Sequence, residues 1–151
     1  MNQNIKPPGI FTKVMSFTYD AFLVVALWFL MGFIALVIYR FLFSEDDYSN
    51  TLLGPIVIIL TTTIYYTYFW SYGRKTLAMS TWSHELQSDN NYKITYKTAF
   101  QRLVLNIVFN LVGLIWMLFD KDKKTLTDRI LGLRTVTVSY THLTLPTTGV
   151  V

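Results

Sequence analysis

The chain has 151 residues, is 52% hydrophobic and carries a formal net charge of +4, which is enough for one domain and no more. The absence of cysteine excludes disulfides, Cys-ligated zinc, iron–sulfur clusters and thiol nucleophiles. The basic excess does not mark a nucleic-acid binder, because the Lys and Arg residues are divided among segments and not gathered on one polar face.

Three stretches without a charged side chain divide them: residues 21–39, 52–70 and 103–119. A 19-residue helix rises about 28 Å, close to the hydrocarbon thickness of a bilayer. The first two stretches have that length and the third has 17 residues. The pattern predicts an all-α integral membrane protein with two clear transmembrane helices. A third membrane segment is either a re-entrant hairpin or a full span. The first stretch is too long for a signal-peptide core and no small-x-small site follows it, so it is expected to stay in the mature protein.

In chain order, residues 1–9 end in Pro7, Pro8 and Gly9 and read as a mobile leader. A helix is expected from Ile10. Lys13 and Asp20 lie on one face of it about 10.5 Å apart, too far to touch each other. Residues 40–51 form a loop with the acidic run Glu45, Asp46, Asp47, which reads as a solvated charge run or, less simply, a divalent-cation site. The second stretch opens with Pro55 in its first turn and closes on Tyr65, Tyr66, Tyr68, Trp70 and Tyr72, an aromatic belt at headgroup level.

Residues 71–102 are the only sizeable hydrophilic segment. Residues 76–82 read as an interfacial helix with Leu77, Met79 and Trp82 facing lipid. Asp89, Asn90 and Asn91 read as a turn between extended runs at residues 84–88 and 92–95. Thr98 and Gln101 have capping-box spacing, which predicts a helix start there. In the tail the alternation through residues 135–138 is a strand pattern, and a small cytoplasmic sheet is expected in which residues 84–88 pair with 133–138.

Only positive residues orient a membrane protein strongly. Residues 71–102 and 120–134 each carry five, so both segments and the N-terminus are expected in the cytoplasm, with the acidic loop outside. A third full span would put the tail outside, against that rule. The short third stretch with Asn106, Asn110 and Gly113 therefore favours a hairpin, its backbone shielded by protein or water.

Phosphate-loop, dinucleotide, zincin and nucleophile-elbow motifs are all missing. His84 and His142 are far apart in sequence, so no metal, no cofactor and no enzymatic activity are expected. Asp20 abuts the first span, where acids tend to be paired or functional. The expectation is that it pairs with Arg129 or Arg134 and that Lys13 faces Asp128. Asn106 and Asn110, one helical turn apart, read as polar contacts between helices.

The run from Gly9 through Lys13 to Asp20 and Ala21 combines with two further segments into a recognisable pattern. These are Thr76 to Met79 with Trp82, and Leu114 to Asp120 followed by Asp128, Arg129, Gly132 and Arg134. Across residues 8–138 the chain resembles the RDD family of bacterial membrane proteins, named for an arginine and two aspartates. Asp20 and Asp128 match the aspartates, and Lys13 stands where the arginine is expected. Ala78 replaces a usual glycine and Thr127 a usual histidine. Lysine keeps the charge but loses the bidentate fork. The resemblance implies a membrane domain over residues 10–138 in the bacterial inner membrane, and at most a link to transport of ions or small solutes. On that reading Lys13, Asp20, Asp128, Arg129 and Arg134 form a charge cluster at the cytoplasmic mouth of a homo-oligomer or a partnered complex. The alternative is a non-catalytic scaffold in which the cluster locks the first helix to the tail. Residues 139–151 lie beyond the family pattern. Their run VSYTHLTLPTT, which starts at Val138, looks like translated adapter sequence, with a short edge strand ended by Pro146 as the other reading.

Overall fold

A computed structural model describes residues 7–43, 48 and 51–138, without the side chains of Asn110 and Leu114. The fold is mostly helical. Helix α1, Ile10–Leu42, starts at Gly9, where Pro7 and Pro8 have exhausted their use as helix residues, and its first backbone bond runs from Lys13 N–H to the Gly9 carbonyl (3.1 Å). At 33 residues it is about 50 Å long. Only 6% of its most apolar 18-residue window is buried, unlike the mostly buried core helix of a soluble domain.

Helix α2, Leu53–Phe69, runs antiparallel to α1. Trp28 Nε1 donates to Thr62 Oγ1 (2.9 Å), and the Tyr65 hydroxyl donates to Asp20 Oδ1 (3.0 Å). With 17 residues α2 is about 26 Å long, shorter than the 19-residue expectation and short of a second unambiguous span. Among the described residues one helix is long and apolar enough to cross a membrane, and a second only if the two halves of a bent helix count together.

The polar segment holds α3, Leu77–Thr81, capped by Thr76 Oγ1, which accepts from Met79 N–H (3.1 Å). The expected short helix is present, but its faces differ from expectation. Leu77 is exposed while Met79 is buried in the core, and Trp82 packs edge-on against Phe11 and Tyr19.

Strands β1, His84–Ser88, and β2, Leu133–Thr137, pair antiparallel with His84 opposite Thr137 and Ser88 opposite Leu133, as the alternating patterns predict. The turn at Asp89–Asn91 is also found, with Asn91 at φ 57° and donating to the Ser88 carbonyl (3.1 Å). The extended run at residues 92–95 forms no strand. Ile94 is buried in the core, and its carbonyl accepts from Tyr72 N–H (2.7 Å).

Helix α4, Tyr96–Phe119, begins earlier than the capping-box spacing suggested. Thr95 is the cap, accepting from Thr98 N–H (3.4 Å). Its halves, Tyr96–Phe109 and Leu111–Phe119, meet at 97°. A straight 24-residue helix would part its ends by about 36 Å. Here the bend lets the chain return, and the flanking segments are joined by the β1–β2 ladder and by a Lys124–Asp89 ion pair (2.7 Å). Helix α5, Leu126–Leu131, is capped by Thr125 and stopped by Gly132, whose φ of 63° suits glycine.

The core lies where the polar segment meets the helix ends: Val24, Tyr66, Trp70, Met79, Leu86, Ile94, Ala99, Leu103 and Leu133. The apolar helix mid-sections stay uncovered, among them Phe29, Phe33, Ile59, Ile64, Ile107 and Val108. Continuous exposure on that scale suits lipid and not water.

Candidate functional site

Residues at helical spacing converge beneath this core. Lys13, Ser16 and Asp20 share one face of α1, Tyr66 of α2 lies one turn before the C-cap Trp70, and Arg102, Asn106 and Phe109 share a face of α4's first half. The bend after Phe109 brings Gly113 and Met117 back to the same place. Thr127 and Asp128 from α5 and His84 and Thr135 from the sheet complete the wall of a cavity of about 130 Å³.

Arg102 is its anchor. Its Nε donates to Asp128 Oδ1 (2.7 Å) and its Nη2 to Asp128 Oδ2 (3.2 Å), and its guanidinium carbon sits 4.2 Å from the Trp70 ring centre. Both side chains are nearly fully enclosed, at 9% and 2% exposure. Burial alone would raise the Asp128 carboxyl. The charge and hydrogen bonds of Arg102, then the charge of Lys13 and the Thr125 hydroxyl, outweigh it and hold Asp128 below the usual carboxylate range.

Asp20 has neutral partners. Tyr65 OH donates to Oδ1 (3.0 Å) and Thr76 Oγ1 to Oδ2 (2.8 Å), with the backbone N–H of Ala78 beside it. This corrects the expected pairing with Arg129 or Arg134. Arg129 binds Asp120 instead, and Arg134 lies opposite Gln87 in the ladder with its Nε buried and unbonded among the described residues. Lys13 shares the cavity with Asp128 and acts on it through charge, but its ammonium donates to the Lys123 carbonyl. Of the five charged residues expected to cluster, three line the cavity and two lie outside it. Asn106 lines it; the side chain of Asn110 falls outside the described residues, as do Glu45 to Asp47 and His142. Among the described residues no group of three or more His, Asp or Glu could hold a metal ion.

Residues 7–132 match the RDD family, which is most of the chain. The chain belongs to the RDD family. No curated protein and no solved structure matches it. Membership and the exposed apolar helix α1 together support a membrane protein. In this RDD protein the bidentate clamp that Lys13 cannot make is made by Arg102. Sequence reasoning passed over Arg102, although one available signal would have found it. Like Asp20, it is an ionisable group directly abutting an apolar stretch.

His84, weighed in the sequence only as half of a metal pair, also lines the cavity. Buried at the start of β1, it lies with Nδ1 3.4 Å from the Trp82 carbonyl. Burial, first, and the charges of Lys13, Arg102 and Lys75 hold it below its ordinary value of 6.5, against the pull of that carbonyl. The unfolded chain therefore takes a proton at His84 before the folded one does. Its contribution to stability is complete above pH 6.5 and is lost as pH falls through the lower folded value. The depressed Asp128 behaves the same way from 3.8 downward. Melting temperatures in detergent should drop between pH 7 and 5 for the parent and stay flatter in His84→Gln. Equal slopes for the two proteins would show His84 to be inert.

Proposed function

We propose that this RDD protein is a bacterial inner-membrane protein, not an enzyme, that binds a small polar or ionic solute in the Arg102–Asp128 cavity as part of transport. In this reading α1 and α2 cross the bilayer and α4 re-enters, with the N-terminus, the polar segment and the tail in the cytoplasm. The observation that carries it is the convergence of Lys13, Asp20, Arg102 and Asp128 on one cavity at the foot of uncovered apolar helices. Ionisable groups placed against hydrocarbon are costly and default to functional sites. The described helices enclose little more than this cavity, so a complete pathway needs a homo-oligomer or a membrane partner. Its partners are then the bilayer and further protein, not nucleic acid.

A specific observation favours a second reading. Both oxygens of Asp128 and both of Asp20 are taken by protein donors, which suits a lock fastening α1 and α4 to the tail in a scaffold protein. Flux across reconstituted vesicles separates the two. For transport, the parent should move one of a panel of inorganic cations, anions and small zwitterions. Lys13→Met and Asp20→Asn should reduce that flux at least tenfold while melting within a few degrees of the parent. A folded parent with no flux for the whole panel sinks the transport reading and leaves the scaffold.

A further inference from the structure

We propose that Arg74 and the tyrosines around it form a binding site for the phosphate of an anionic phospholipid headgroup. Arg74 lies between α2 and α3, outside the cavity. Its guanidinium carbon is 4.1 Å from the ring centre of Tyr68, 5.6 Å from that of Tyr72 and 5.7 Å from that of Tyr96. The Tyr72 and Tyr96 rings meet edge to face at 5.0 Å. A single nitrogen does the anchoring: the two N–H groups of Nη1 serve the Tyr68 carbonyl (3.2 Å), Ser71 Oγ (3.1 Å) and Tyr96 OH (3.3 Å), one of them shared between two acceptors.

What remains is the edge formed by Nε and Nη2. Among the described residues it has no hydrogen-bond partner, and no carboxylate pairs with Arg74. That edge is the fork which matches two oxygens of a phosphate. Because three rings and three hydrogen bonds already fix the guanidinium, little conformational freedom is left to lose on binding.

The surroundings select an anion. Lys93 and Lys97 are exposed beside Ile94 and Tyr96, which the Tyr72–Ile94 backbone bond and the Arg74–Tyr96 bond hold against the site. The acids in this segment are engaged elsewhere, Glu85 by Lys75 and Asp89 by Lys124. The surroundings also select a lipid. The three tyrosines around the guanidinium are about half-exposed, an aromatic rim at the end of α2 that is the setting of headgroup-level belts. The site rests on the membrane placement of α2 and is independent of what the cavity binds.

The test uses the full-length protein in a neutral detergent, titrated with phosphatidylglycerol, with phosphatidylcholine or with inorganic phosphate, and read by melting temperature and by lipid retained in native mass spectrometry. Phosphatidylglycerol should raise the melting temperature and be retained, while phosphatidylcholine and inorganic phosphate should do neither. Arg74→Gln should weaken phosphatidylglycerol roughly fivefold. Arg74→Lys, which keeps the charge but not the fork, should weaken it in the same direction. If Arg74→Gln does not fold, the exposed double change Lys93→Gln with Lys97→Gln must produce the loss instead. Equal effects of the two lipids, the same shift from inorganic phosphate alone, or unchanged lipid affinity in the folded variants would each overturn the site.

Discussion

Asp128→Asn should cost roughly 3–5 kcal/mol of stability, because it leaves a buried guanidinium without its paired carboxylate. The carboxylate is 2% exposed and accepts two bonds from an arginine that is itself 9% exposed, so neither group can turn to water. Arg102→Met should be as harmful for the mirror-image reason. The double variant Arg102→Met with Asp128→Leu should recover most of the loss, since it removes both charges and leaves apolar volume. A double-mutant cycle from melting in detergent would then give a coupling of a few kcal/mol. Fully additive losses would mean that the pair does not hold α4 to α5.

The contrast with Asp20 explains how far the sequence was legible. Both aspartates stood out, one by abutting an apolar stretch and both by family resemblance, and both line the cavity. Their partners were not legible. The assumption that a buried acid near hydrocarbon needs a cation sent Asp20 to the tail arginines, whereas two hydroxyls satisfy it. Hydroxyl donors leave no charge pattern in a sequence. Tyr65 was absorbed into the aromatic belt and Thr76 into a helix start. Arg102 was counted only as one of five positive residues, because its partner lies 26 residues on, past the bend.

Secondary structure followed a similar division. The strand pairing of residues 84–88 with the tail could be read because period-two alternation survives in both runs. Residues 92–95 carried the same pattern, but core packing of Ile94 and the bond from Tyr72 N–H to its carbonyl decided otherwise. Met79 was placed toward lipid from its position on a short helix, yet it faces the core. Over a five-residue helix, periodicity cannot tell one apolar face from the other.

In the topology we propose, α4 leaves and returns on one side of the membrane. The 97° bend, the β1–β2 ladder, the Arg102–Asp128 clamp and the Lys124–Asp89 pair all tie the polar segment and the start of α4 to α5 and the tail strand. None of these contacts could form across about 30 Å of hydrocarbon. The positive residues agree, with five on each side of the apolar stretch. Because the chain has no cysteine, Asp46→Cys, Asn90→Cys and Lys121→Cys can be made singly and probed in whole cells with a membrane-impermeant maleimide. Asp46→Cys should label in intact cells, while Asn90→Cys and Lys121→Cys should label only once the membrane is opened. Labelling of Lys121→Cys in intact cells, with Asn90→Cys protected, would make α4 a full span and contradict the account.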